Sequence, residues 1–155
     1  MQLADILVEE SVIYCADATT KRDVLHRLCE RIAAQTGQPV EIIFEAIDNR
    51  EALGSTGLGN GIAIPHGKLP GLSGVAAAFA RLEHPVDFEA IDDQPVDLVM
   101  MLIAPIGAGA DHLKALATVA RLLRTESVID RLRQLRDPAR LYAVLAAPVA
   151  THKAA

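Results

Sequence analysis

Chemistry in this chain is concentrated between Gly54 and Lys68, GSTGLGNGIAIPHGK, and centres on His66. A neutral imidazole offers a nitrogen lone pair near neutral pH, provided that its second nitrogen is held as a donor. Lys68 follows two residues later, and five of the ten glycines adjoin: Gly54, Gly57, Gly59, Gly61 and Gly67. Glycine reaches positive φ without steric cost, so Gly54 to Gly61 is expected to form a tight loop with exposed backbone amides. Such amides, those of Gly57 and Gly59 among them, can face phosphoryl oxygens without adding a full charge. Ser55 and Thr56 add hydroxyls that either donate to the same group or shape the turn. The apolar run Ile62 to Ile64 predicts a short buried strand, ended by Pro65, which has no N–H for a ladder. His66 then stands at a strand end, suited to phosphate or proton chemistry.

Other readings compete for the segment. No Gly-Lys-Ser/Thr closes the loop, which excludes a Walker A loop. Gly57-Leu58-Gly59-Asn60-Gly61 hints at a dinucleotide loop, but that motif needs a strand before and a helix after it, and here a strand follows. In the plainest reading the glycines only turn the chain and His66 only packs. Lys68 either holds phosphate charge or is solvated.

The elements that position these residues follow from periodicity and punctuation. A short helical turn near Leu3 to Leu7 precedes a strand over Ser11 to Cys15. Thr19 or Thr20 caps a helix carrying Val24, Leu25, Leu28, Cys29 and Ile32, which Gly37 stops. A second helix starts about Pro39, with Ile42, Ile43, Ala46 and Ile47 as its apolar face, and runs through Arg50 to Gly54. Arg50 thus lies on the last turn, feeding the glycine loop. It is either a phosphate ligand or an ordinary helix-end cation. Val75 to Leu82 predicts a buried strand, Val86 to Phe88 a short edge strand, and Val96 to Ala104 the central strand. Pro105 to Ala110 is a loop. Asp111 is expected to cap a helix whose apolar face is Leu113, Leu116, Ala117, Ala120 and Leu123. Val128 to Leu135 and Pro138 to Leu145 are the last helices. Interleaved strands and helices make the class α/β, one domain over residues 1–150, with 151–155 a disordered tail.

Arg50-Glu51 followed by GSTGLGNGIAIPHGK resembles the signature of enzyme IIA domains of the bacterial phosphotransferase system, fructose/mannitol type. The similarity is closest to the stand-alone, nitrogen-regulatory branch and spans nearly the whole chain. It implies a central mixed β-sheet of about five strands flanked by helices on both sides. It implies that His66 accepts a phosphoryl group at Nε2 from a histidine phosphocarrier protein, at the end of a phosphoenolpyruvate-driven chain. It also implies that Arg50 sits beside His66, and that His112, at a helix start, is its hydrogen-bonding neighbour. Without the resemblance, His112 reads as a solvent-facing residue of a helix N-terminus. Regulatory targets would include potassium-transport or kinase components. Three functions stand: a regulatory phosphocarrier, a sugar-pathway IIA component passing phosphate to a IIB partner, and a docking-only module. In each case the chain is a phosphotransferase component rather than a free-standing metabolic enzyme. An apolar collar of Leu58, Ile62 and Leu69 around His66 is expected to receive partners.

Composition bounds the rest. A length of 155 residues, 51% of them apolar, suits one core without disulfides. A net charge of −5 argues against a nucleic-acid surface. Cys15 and Cys29 make no CxxC pair and read as buried residues of a reducing cytoplasm. No run is long enough to span a bilayer, and Asp5, Glu9 and Glu10 do not make a signal peptide, so membrane insertion and export are not expected. Neither a cofactor nor a metal is expected: no HExxH or clustered ligand spacing is present. His26, His84 and His152 read as surface histidines, with His84 in a His-Pro turn.

Overall fold

The computed structural model describes residues 1–148, so the expected tail at 151–155, with His152, lies outside the described residues. A 3-10 turn (Leu3–Asp5) leads into strand β1 (Leu7–Cys15) and helices α1 (Lys21–Thr36) and α2 (Val40–Ala52). Strands β2 (Gly57–Gly59), β3 (Ile62–Ala63), β4 (His66–Leu69), β5 (Ala76–Val86) and β6 (Val96–Pro105) follow, then helices α3 (Gly109–Leu122), α4 (Glu126–Gln134) and α5 (Pro138–Ala146).

The six strands form one mixed sheet of order β1-β5-β6-β3-β2, with β4 also paired to β6. β1 runs parallel to β5, β5 antiparallel to β6, and β3 and β4 both parallel to β6. Ile62 faces Leu98 and His66 faces Leu102, so β3 and β4 keep one register along the same edge of β6. They are a single strand line interrupted at Ile64-Pro65. Proline cannot donate, but its carbonyl still accepts from Leu102 N–H at 2.9 Å, which carries the register across the break.

Alternation along β5 and β6 builds two cores. Ala76, Ala78, Ala80 and Leu82 face α1 and α2 together with Val99, Met101 and Ile103. Ala77 and Phe79 join Leu98, Met100 and Leu102 against α3, α4 and α5. Both faces of β6 are therefore buried from Leu98 to Ala104, as that unbroken apolar run requires. The expected class, mixed sheet and two-sided helical cover are all present. So are the Thr20 cap on Asp23 N–H, the left-handed Gly37 stop, and buried Cys15 and Cys29.

Several local expectations are corrected. β1 starts at Leu7, earlier than the β-rich run at Ser11, because its acidic residues face solvent. Val86 ends β5 rather than opening a separate strand, and His84 lies within β5, since pairing to β6 carries the strand past Pro85. Asp111 sits inside the first turn of α3, and the cap position is Ala108. The buried face of α3 is His112, Ala115, Val119 and Leu122, while Leu113 is 67% exposed. A histidine occupies the core-facing position that periodicity had assigned to leucine.

Candidate functional site

Among the described residues β4 has a ladder partner on one side only, because the short hairpin strand β2 pairs with β3 and stops there. At this open edge the two helical layers converge. α2 packs closely on β4, and Gly67 permits it: a Cβ there would stand 3.3 Å from the Ala46 carbonyl oxygen. α3 arrives from the other face. Together they enclose an open cavity of about 490 Å³ whose lining includes Arg50, Leu53, His66, Lys68, His112 and Leu113.

His66 is half-buried at the first position of β4. Its Nδ1 lies 2.9 Å from the Ile64 carbonyl oxygen. A carbonyl only accepts, so the proton is assigned to Nδ1 and the lone pair to Nε2. The ladder bond from Leu102 goes to the Pro65 carbonyl, and the Ile64 carbonyl is left to accept from the ring.

The His112 ring lies 5.6 Å from the His66 ring, centroid to centroid, tilted by 50°. His112 is 6% exposed, and its Nδ1 has no hydrogen-bond partner among the described residues. Burial, reinforced by the nearby His66 and Lys68, holds its pKa below the usual 6.5, so the ring is neutral at pH 7. Arg50 reaches the cavity from the last turn of α2, one guanidinium nitrogen donating to the Gly54 carbonyl at 2.8 Å. A nucleophilic nitrogen, a neutral imidazole and two cations thus share one opening rimmed by exposed Leu53 and Leu113.

The glycine stretch is placed differently from expectation. It is not one amide cradle but a turn followed by the β2–β3 hairpin. Asn60 (φ 57°) and Gly61 (φ 79°) make that hairpin's two-residue turn. The Asn-Gly pair was the available signal for it. The Ser55 hydroxyl donates to the Phe88 carbonyl, and Gly57 N–H donates to Ser55 Oγ at 3.0 Å. Thr56 is buried, with its amide and hydroxyl both on the Glu51 carboxylate. Ser55, Thr56, Gly57 and Gly59 do not line the His66 cavity; Arg50, Lys68 and His112 do. The reason is local: the Ser55 hydroxyl is taken by the Phe88 carbonyl and the buried Thr56 donors by the Glu51 carboxylate, so neither faces His66. The collar also changes: Ile62 and Leu69 are buried at 4%, and Leu58 borders a separate cavity by α4. Leu53 and Leu113 replace them. Sequence reasoning also missed Glu51, whose buried carboxylate only the fold reveals.

Residues 5–147 match the family model described as "Phosphoenolpyruvate-dependent sugar phosphotransferase system, EIIA 2". The chain belongs to this family. It is 48% identical over 151 residues to the nitrogen regulatory protein of Bradyrhizobium diazoefficiens, covering 97% of this chain and 99% of that one. It is 39% identical over 146 residues to the nitrogen regulatory protein of Escherichia coli, covering 94% and 90%. The crystal structure of the nitrogen regulatory protein IIA-Ntr of Neisseria meningitidis superposes with a TM-score of 0.85 at 30% identity, over 92% of this chain and 98% of that one. The IIA mannitol structure of Escherichia coli gives 0.74 at 24% identity over 90% and 98%, a likeness of fold alone. This protein is thus a regulatory-type IIA component by family. No helix among its described residues is long and apolar enough to cross a membrane.

Proposed function

We propose that this IIA protein is a phosphohistidine carrier of the nitrogen-related phosphotransferase branch, accepting its phosphoryl group on Nε2 of His66 from a histidine phosphocarrier protein. The observation that supports this most is the 2.9 Å bond from Nδ1 to the Ile64 carbonyl, which leaves Nε2 unprotonated beside Arg50 and His112. In the transfer step the Nε2 lone pair attacks phosphorus in line. The P–N bond of the donor phosphohistidine breaks, and its electron pair returns to the donor ring. The Nδ1 proton stays on His66, where the Ile64 carbonyl stabilises the positive charge the ring acquires. Phosphoryl transfer of this kind is mostly positioning and charge stabilisation. Arg50 and Lys68 supply cationic donors, and His112 supplies a neutral imidazole N–H that adds no charge.

A carrier must also release what it accepts. The open edge suits reversible transfer better than a closed pocket, since a site that stabilised the phosphorylated state too well would stall. Leu53 and Leu113 form the apolar rim on which the phosphocarrier and the regulatory targets dock. The phosphorylation state of His66 then sets which targets are engaged, potassium-transport or kinase components among them, in the cytoplasm.

The test is intact mass after mixing the protein with phosphoenolpyruvate, enzyme I and the cognate phosphocarrier, with His66→Ala alongside. A single acid-labile adduct, absent in the mutant, is the expected result. No adduct with demonstrably active donors would favour the docking-only module. Onward transfer to a sugar-specific IIB protein would favour the sugar-pathway reading.

A further inference from the structure

Glu51 adjoins Arg50 in sequence but points the other way, into the protein. Its side chain is 4% exposed, and its carboxylate meets Lys21 Nζ at 2.8 Å, Thr56 N–H at 3.2 Å and the Thr56 hydroxyl. A carboxylate taken out of water persists only where such partners replace its hydration. These three come from the start of α1 and from the turn after α2, so the cluster binds two segments distant in sequence.

The consequence runs further than the cluster. The Thr56 carbonyl accepts from Ile64 N–H at 3.1 Å, and the Ile64 carbonyl accepts from His66 Nδ1 at 2.9 Å. Glu51, Thr56, Ile64 and His66 are therefore linked residue by residue through three successive hydrogen bonds. Ile64 belongs to neither β3 nor β4, so the sheet ladder alone does not place it. The same turn holds Arg50: Gly54 N–H donates to the Glu51 carbonyl at 3.1 Å, while the Gly54 carbonyl accepts from Arg50.

We propose that Glu51 is a positioning residue for His66: its carboxylate sets Thr56, Thr56 sets Ile64, and the Ile64 carbonyl selects the ring tautomer. The proposal rests on the carrier reading for its kinetic consequence but not for its structural one. If the Ile64 carbonyl moves away, nothing holds the ring proton on Nδ1. The proton then also occupies Nε2, and that fraction of the protein has no lone pair to attack with. Glu51 touches neither donor nor phosphoryl group, so its loss slows the step without weakening docking.

The experiment uses ring ¹⁵N NMR of the unphosphorylated protein, together with phosphoryl-transfer kinetics from the cognate phosphocarrier. Wild type is expected to show a neutral His66 with its proton on Nδ1. Glu51→Gln and Thr56→Val are expected to show a mixture of tautomers, and a transfer rate lowered roughly two- to fivefold, in proportion to the Nδ1-protonated fraction, at saturating phosphocarrier with KM unchanged. Thr56→Ser, which keeps the hydroxyl, restores the wild-type spectrum and rate. Should Glu51→Gln fail to fold, Thr56→Val carries the test. Folded variants with a wild-type tautomer overturn the proposal, as does a loss confined to KM. Absence of any adduct on wild type would instead count against the carrier reading, and the ring spectra would still decide the positioning role.

Discussion

The two ends of the central strand β6 treat polar groups in opposite ways. Near Val96, charged groups are paired, and Arg81 Nε is the one buried side-chain nitrogen there without a partner among the described residues. Arg133 meets the Asp97 carboxylate at 2.9 Å and donates to the Asn60 carbonyl at 2.6 Å, clamping the hairpin turn to α4. Glu83 accepts from Arg136 and Tyr14 with Arg81 nearby, and these donors draw its carboxyl down to about 2. Near Leu102 the pattern reverses. Among the described residues neither His66 Nε2 nor His112 Nδ1 has a hydrogen-bond partner, and Leu53 and Leu113 lie exposed. Saturated polar groups hold a fold in one arrangement, whereas a group that must form and break bonds with a partner has to be left with capacity to spare.

That contrast can be broken deliberately. The largest effect is expected from His66→Gln, which keeps the volume and removes the nucleophile: the phosphoryl adduct disappears from the mass spectrum while the melting temperature stays within a few degrees. Next comes Arg50→Ala, expected to lower the single-turnover transfer rate by about 10². Because Arg50 spends one bond on an exposed turn, chemical denaturation should scarcely change. An equal loss of stability would place Arg50 with the structural groups instead. Arg133→Ala is the mirror experiment. It removes the clamp on Asp97 and Asn60 and is expected to lower unfolding free energy by about 1–2 kcal/mol with little change in transfer rate. A slowed step in a fully folded Arg133→Ala protein would show that the two ends are not separable.

pH provides a milder probe. His112 has a folded pKa below 6.5, so between that value and 6.5 the unfolded chain binds the extra proton and the folded one does not. Stability is therefore complete above about 6.5 and declines as pH falls toward the folded value. Melting temperature measured between pH 7.5 and 5.5 should drop less in His112→Gln than in wild type; parallel curves would remove His112 as the source. The smallest effect is reserved for Leu113→Ser, expected to raise KM for the phosphocarrier a few-fold at unchanged saturating rate.

Much of this was legible in the chain before folding. The α/β class follows from alternating apolar runs and caps, and β6 was marked by its unbroken apolar stretch, because these are local signals of periodicity and steric punctuation. His66, Arg50 and Lys68 were nameable from their motif and His112 from the family resemblance alone, and all four line one cavity. What local pattern could not supply was the direction of side chains that leave the main periodicity. His112 took the core-facing position on α3 and left Leu113 to solvent, which no count of apolar residues distinguishes. Ser55 and Thr56 had donors of the right kind, but the partners that claim them, Phe88 and Glu51, depend on how the turn packs.

The amino-acid sequence by itself determined the helices, the long apolar strands, the proline break beside His66 and the glycine that lets α2 approach β4, whereas the short strands β2 and β4 emerged only from pairing in the sheet. Only the tertiary structure decided which carbonyl holds the imidazole proton, which polar groups stay unpaired, and where Glu51 is buried. The reason is that secondary structure answers to neighbours in sequence, while tautomers, desolvation and unmet hydrogen bonds answer to neighbours in space.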